Sequence, residues 1–294
     1  MPRPYHRWIL LAVFIASAFG TAALAQAARQ ELDIPYVSAG GHRQQLDLYL
    51  PEKPGFATIL FVHGGSLESG DRTEFHLPEI CQNFVKAGLG CATTSYRLLA
   101  GHPWPAQPDD VAAAFAWLKK NIGVRGGDPS KIFLTGHSSG ARLVALVSSD
   151  ETYLQAHGLS ARDIAGTMVM GTILHIEDWM KEVGGQETFE KNFARTDEAK
   201  TYGSFAVFRN SWPYYHVSPH LPPMLILVAE AEKINPPCWA HALDFQQAAA
   251  RVGARVEVKE LPGRRHLTAL EKMAEPGDPT FLAILRFLGR EPKN

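Results

Sequence analysis

The stretch Lys131-Ile132-Phe133-Leu134-Thr135-Gly136-His137-Ser138-Ser139-Gly140-Ala141-Arg142-Leu143-Val144-Ala145-Leu146 decides the reading of this chain. A short apolar run of strand length ends at Thr135, and a run of helical character begins at Ala141. Between them stand a glycine, a serine with one residue on either side, and a second glycine. A chain that passes from strand to helix within five residues must turn sharply and with strain. Small residues flanking Ser138 make that turn possible and leave its hydroxyl exposed at the strand's end. The strand before and the helix after are the context that gives the pentapeptide meaning. Only Ser138 fits the frame, because neither glycine has the right offset from Ser139.

Outward from this turn, five more short apolar runs have the same character: Thr58 to Val62, Gly90 to Thr94, Gly166 to Met170, Met224 to Val228 and Val256 to Glu260. Each alternates with a loop and a longer helical pattern, as at Pro108 to Asn121, where Val111, Ala114, Phe115 and Leu118 fall at helical spacing. Continuous apolar runs with crossover helices predict buried parallel strands, hence a doubly wound α/β sheet with helices on both faces. The alternating segment Asp33 to Pro51, around Gly40-Gly41, predicts an antiparallel hairpin at the start. Thr280 to Leu288 predicts the closing helix. Such sheets bind ligands at the carboxyl ends of their strands.

His63-Gly64-Gly65 follows the first parallel run. Glycines there allow backbone amides to approach a developing oxyanion, so Gly64, Gly65 and the amide of Ser139 are the candidate oxyanion hole, with Ser66 beside them. A base paired with Ser138 must lie after the last strand, and His266 does. Of the twelve histidines, His63, His76, His102, His137, His216, His220 and His241 lack that position. The acid belongs after the Met224 run, where Glu230 and Glu232 stand and no aspartate does. Glu232 is preferred and Glu230 second, with Glu177 or Asp178 after the preceding strand as the alternative.

From His175 to His220 the rhythm breaks into charges, glycines and aromatics, among them Trp179, Phe189, Phe205, Phe208 and Trp212. A connection of that length predicts a lid-like insertion at about 175–220. Trp104, Trp179, Trp212, Tyr214 and Tyr215 read either as lining of a substrate site or as the insertion's own core.

The 294 residues are 46% hydrophobic, enough for one catalytic domain over 26–294. The net charge of −1 excludes a global field for nucleic acid or an anionic membrane, which leaves a small-molecule partner. Arg3 and Arg7, the apolar run Trp8 to Ala16 and the closing Ala23-Leu24-Ala25 predict a signal peptide over residues 1–25. The run is short for spanning a bilayer, so the mature protein is expected in the periplasm or outside the cell, without stable membrane insertion. Cys81 and Cys91 can pair where a helix packs on a strand, or can be two small buried residues; Cys238 is left over. No cysteine lies in a metal-ligand spacing, and no metal or cofactor site is read.

With these residues in hand, the chain resembles the α/β-hydrolase superfamily, in its esterase/lipase-like branch of small secreted carboxylesterases, feruloyl-esterase-like and kynurenine-formamidase-like proteins. The resemblance rests on Leu46-Asp47-Leu48-Tyr49-Leu50-Pro51, His63-Gly64-Gly65, Ser95-Tyr96-Arg97-Leu98, Pro103-Trp104-Pro105-Ala106 with Asp109-Asp110-Val111, Gly127-Asp128-Pro129, the Ser138 turn and Pro262-Gly263-Arg264-Arg265-His266. It carries the family's nucleophile onto Ser138, its histidine onto His266 and its aspartate position onto Glu232. Ser66-Leu67 departs from the usual glycine or tryptophan pattern after His63-Gly64-Gly65. The implied activity is hydrolysis of a carboxylic ester of a small or aromatic substrate. Amide-type hydrolysis on the same residues, as in arylformamidases, and a catalytically silent binding protein of the same fold are the alternatives.

Overall fold

The computed structural model describes residues 29–290, so the leader read over residues 1–25 lies outside the described residues. One sheet of eight strands runs through it: β1 (Arg29–Pro35), β2 (Gln45–Leu50), β3 (Phe56–Val62), β4 (Gly90–Thr94), β5 (Gly127–His137), β6 (Gly166–Met170), β7 (Met224–Ala229) and β8 (Val256–Leu261), in the order β1-β2-β4-β3-β5-β6-β7-β8. β2 is antiparallel to both its neighbours, and every other pairing is parallel. The α/β sheet with its antiparallel start is the architecture expected from the apolar runs.

Eleven helices accompany it among the described residues: α1 (Leu77–Lys86), α2 (Ala106–Asn121), α3 (Ser139–Ser149), α4 (Thr152–Gln155), α5 (Glu177–Glu182), α6 (Gln186–Phe193), α7 (Asp197–Tyr202), α8 (Phe205–Asn210), α9 (Cys238–Arg251), α10 (His266–Glu271) and α11 (Pro279–Phe287). Central strands such as β3, β6 and β7 read as unbroken apolar runs because alternate side chains point to opposite faces and both faces are covered. The edge strand β8, expected as a buried run of the same kind, is only half-buried and carries Glu257, Lys259 and Glu260. Leu60 and Val62 of β3 enter the core shared with Val111 and Phe115 of α2, Val144 of α3 and Phe245 of α9. Ile59 and Phe61 enter the opposite core, with Ile80 and Phe84 of α1 and Ile284 of α11. In α1, Leu77, Ile80, Cys81 and Phe84 form one buried stripe. That stripe brings Cys81 onto β4, where it forms a disulfide with Cys91 across a Cα separation of 5.2 Å. Closing a ten-residue separation stabilises the fold by about 3 kcal/mol through the unfolded chain.

Two polar clusters fix the loops at the sheet's edge. Arg72 is buried, with Nε donating to Asp47 at 3.0 Å, Nη2 donating to Gln45 Oε1 at 3.1 Å and a further ion pair to Asp33. It ties the β1–β2 hairpin to the long connection between β3 and α1. Arg97 grips Asp110 of α2 with two side-chain bonds of 2.8 Å, and its backbone amide donates to the same carboxylate.

Between β6 and β7 stand α5 to α8 around a core of their own, built from Ile176, Met180, Phe193, Phe205, Phe208 and Trp212. Thr196 and Ser204 cap α7 and α8, accepting from Ala199 N and Val207 N. This segment is fastened to α9 by two histidines whose rings stack at 3.7 Å, His175 and His241. Each faces a carboxylate at 3.1 Å, Asp244 for His175 and Asp178 for His241.

Two outcomes follow. Arg72→Ala leaves Asp47 buried without its partner, and denaturant unfolding should register a loss of about 3–5 kcal/mol. The second concerns pH. Burial is the main force that lowers His63, His137 and His241 to about 4, and it lowers His175 as well. As pH falls through about 6.5 the unfolded chain takes up these protons while the folded chain refuses them, so stability is lost between there and about pH 4. Urea midpoints should fall from pH 7 to pH 5, and His241→Gln should flatten that slope whatever it costs at pH 7.

Candidate active site

The register between β3 and β5 places Val62 opposite Gly136, so the loop that starts at His63 lies beside the turn that starts at His137. At that turn Ser138 has φ 56° and ψ −126°, a backbone state that L residues rarely adopt and that persists only when the surroundings enforce it. Here the enforcement is close packing. A Cβ on Gly140 would stand 2.3 Å from the carbonyl oxygens of Val62 and His63, and one on Gly136 would stand 2.5 Å from the Gly140 backbone. The turn is further held by Ser138 N donating to Met170 O at the end of β6, at 2.9 Å. Both glycines of the motif are therefore demanded by contact with backbone.

Glu232 lies in the single 3-10 turn, Glu230–Glu232, that follows β7, and its side chain is 3% exposed. Its Oε1 is 2.5 Å from His266 Nδ1. His266 opens α10, just after β8, with its side chain 42% exposed. With its Nδ1–H donated to Glu232, the imidazole keeps a free lone pair on Nε2, the arrangement a proton acceptor requires. The other carboxylates weighed from sequence are engaged elsewhere. Glu230 accepts from Gly263 N at 2.6 Å, Glu177 accepts from Tyr215 OH at 3.0 Å, and Asp178 faces His241. Gly171, with φ 62°, passes beneath the pair: a Cβ there would be 3.2 Å from both Glu232 Oε2 and His266 Nδ1.

Gly64 approaches the turn so closely that a Cβ on it would meet Ser138 Cβ at 3.1 Å. Gly65 has φ 113°, and its carbonyl points away, accepting from Glu68 N and Ser69 N at 3.0 Å. Ser139 is the first residue of α3, where helical amides have no partner within the helix. Ser139 Oγ accepts from Leu67 N at 3.3 Å, which pins the loop to the helix. Within this loop the His63 ring is fully buried, stacked 4.3 Å from Tyr96, with Nδ1 donating to Gly64 O at 2.7 Å.

One residue of the site was not picked out from sequence. His137 Nε2 donates to the backbone oxygen of His266 at 2.9 Å, and the two rings lie 4.5 Å apart. Burial, then the neighbouring His266, lowers His137 to about 4, so at neutral pH it is an uncharged donor. It couples the residue before Ser138 to the backbone of His266. Its adjacency to Ser138 was the available signal.

Cys238, at the start of α9, is buried, and burial together with Glu232 pushes its thiol up to about 12, which leaves it unreactive. Among the described residues, no group of three or more His, Cys, Asp and Glu is placed to hold a metal ion, and no helix is long and apolar enough to cross a membrane.

Known proteins share this frame. Esterase LipQ of Mycobacterium tuberculosis is 27% identical over 275 residues, covering 88% of this chain and 63% of LipQ. Esterase LipC of the same organism is 28% identical over 255 residues, covering 84% of this chain and 62% of LipC. The chain thus spans less than two thirds of the length of these curated relatives. A solved structure described as a truncated form of a carbohydrate esterase from gut microbiota superposes with a TM-score of 0.72 over 91% of this chain and 97% of the other. At 20% identity that likeness speaks for the fold. The BD-FAE family model matches residues 46–246, a span that takes in His63-Gly64-Gly65, the Ser138 turn and Glu232, and the chain belongs to the BD-FAE family.

Proposed function

We propose that this protein hydrolyses carboxylic esters through an acyl-enzyme formed on Ser138. The observation that carries this reading is the approach of the His266 Nδ1 to the buried Glu232 carboxylate, at 2.5 Å, with the His266 backbone bonded to His137, the residue before Ser138 in the strained strand-to-helix turn. His266 Nε2 takes the hydroxyl proton as Ser138 Oγ attacks the ester carbonyl, and Glu232 holds the ring's tautomer and stabilises the imidazolium. The amide of Ser139, with those of the Gly64-Gly65 loop, receives the oxyanion. The proton then passes from His266 to the departing alcohol. A water molecule, deprotonated by the same ring, releases the acid and restores Ser138.

Relatives named as esterases support the ester as the bond cleaved. Trp179, exposed in the cleft that the Ser66-Leu67 loop also lines, supports a small or aromatic substrate, and α5 to α8 are proposed to act as a lid over it. Export by the leader over residues 1–25 is part of the same proposal. The Cys81–Cys91 disulfide supports it, since such bonds persist in oxidising compartments.

Hydrolysis of p-nitrophenyl acetate, butyrate and octanoate tests the reading. Ser138→Ala and Glu232→Gln should each lower kcat by about 10⁴-fold or more with folding intact. A parent protein inert to all three esters would refute it. Gly171→Ala should push Glu232 and His266 apart and lower kcat by about 10²-fold, measured with the same esters.

A further inference from the structure

Arg72, Arg97, Arg125 and Arg264 are all ion-paired with carboxylates. Arg142, on the first turn of α3, has no carboxylate partner among the described residues. Its guanidinium lies 4.6 Å over the Trp212 ring and 5.8 Å over the Trp104 ring, and Nη2 donates to Tyr202 OH at 3.0 Å. A guanidinium has five N–H donors and accepts no hydrogen bond, so this one contact leaves donors free. Arg209 Nε is buried without a partner, but no Arg142 nitrogen is in that state. Arg142 instead forms part of the wall of a cleft of about 260 Å³, which the loop residues Ser66 and Leu67 also line.

Two residues of the cleft wall, Arg142 and Leu67, are bonded to the turn that carries the proposed nucleophile. Arg142 N donates to Ser138 O at 3.1 Å, one turn along the helix, and Leu67 N donates to Ser139 Oγ. Stacking on two indoles and the bond from Nη2 to Tyr202 hold the planar fork in place before anything binds, so little freedom is lost when an anion meets it. Glu68, Asp197 and Glu198 also reach the cleft, but all three are exposed at its rim, and Asp197 is paired with Lys200 at 2.8 Å. Exposed rim charges are screened by solvent and salt, whereas the half-buried guanidinium, walled by aromatics, is screened less.

We propose that Arg142 makes this cleft a carboxylate subsite, so that the favoured ester carries a carboxylate on the part of the substrate that reaches from the Ser138 turn into the cleft. The inference rests on the ester-hydrolase reading. It is tested by kcat/KM for two charged and neutral pairs followed by pH-stat: monomethyl adipate against methyl heptanoate, for a carboxylate on the acyl side, and 4-acetoxybenzoate against phenyl acetate, for one on the alcohol side. The parent should favour the charged member of at least one pair. Arg142→Gln should lower that charged-to-neutral ratio by about ten- to a hundredfold, chiefly through KM, as expected for one charge-assisted contact. Arg142→Lys, which keeps the charge and loses the fork, should fall between them and serves if the glutamine variant does not fold. A ratio that favours the neutral esters, or one unchanged by both substitutions, overturns the proposal. If the parent cleaves none of the four esters and none of the p-nitrophenyl esters, the ester reading fails on its own. The subsite is then decided by calorimetric binding of benzoate and adipate to Ser138→Ala: binding abolished by adding Arg142→Gln upholds it, and no binding overturns it.

Discussion

The site depends on a backbone turn that its own residue disfavours. Ser138 sits at positive φ because Gly136 folds back on Gly140, and Gly140 presses on the last carbonyls of β3. Neither contact leaves room for a Cβ, so the strain is not relieved by local rearrangement and must be borne by the packed sheet beneath. Continuous burial of β3, β6 and β7, and of β5 from Leu134 to His137, supplies that rigidity. The same turn orients the amide of Ser139 at the head of α3 and brings Ser138 against Gly64, so the proposed nucleophile and the proposed oxyanion donors are products of one constraint.

The proposed base is positioned from two directions. Glu232 reaches His266 from the end of β7, while His137, inside the turn itself, holds the His266 backbone. Gly171 leaves the space that this pair occupies. Three strand ends are thereby tied to one another by short polar contacts, and the burial that keeps His137 uncharged is what lets it serve as a plain hydrogen-bond donor beside another histidine.

The sheet was legible because both its faces are covered at the centre, which turns parallel strands such as Thr58 to Val62 into unbroken apolar runs; β8, at the edge, alternates with charges. Ser138 was legible because the glycine spacing records a steric demand. The choice among Glu232, Glu230, Glu177 and Asp178 was not, since a carboxylate's partner is set by tertiary geometry: Asp178 pairs with His241, which stacks on His175, and no spacing along the chain announces it. The four helices α5 to α8 were hidden for a different reason. At six to eight residues each they are too short to show a period, and their aromatics serve a local core. The setting of Arg142 among Trp104, Tyr202 and Trp212 likewise joins residues from distant parts of the chain.

The most direct test of the central claim is labelling with a fluorophosphonate followed by peptide mass spectrometry. The account predicts one adduct, on Ser138, formed far more slowly in Glu232→Gln and His266→Ala and absent from Ser138→Ala. No adduct on the folded parent, or an adduct at another residue that persists in Ser138→Ala, would contradict it.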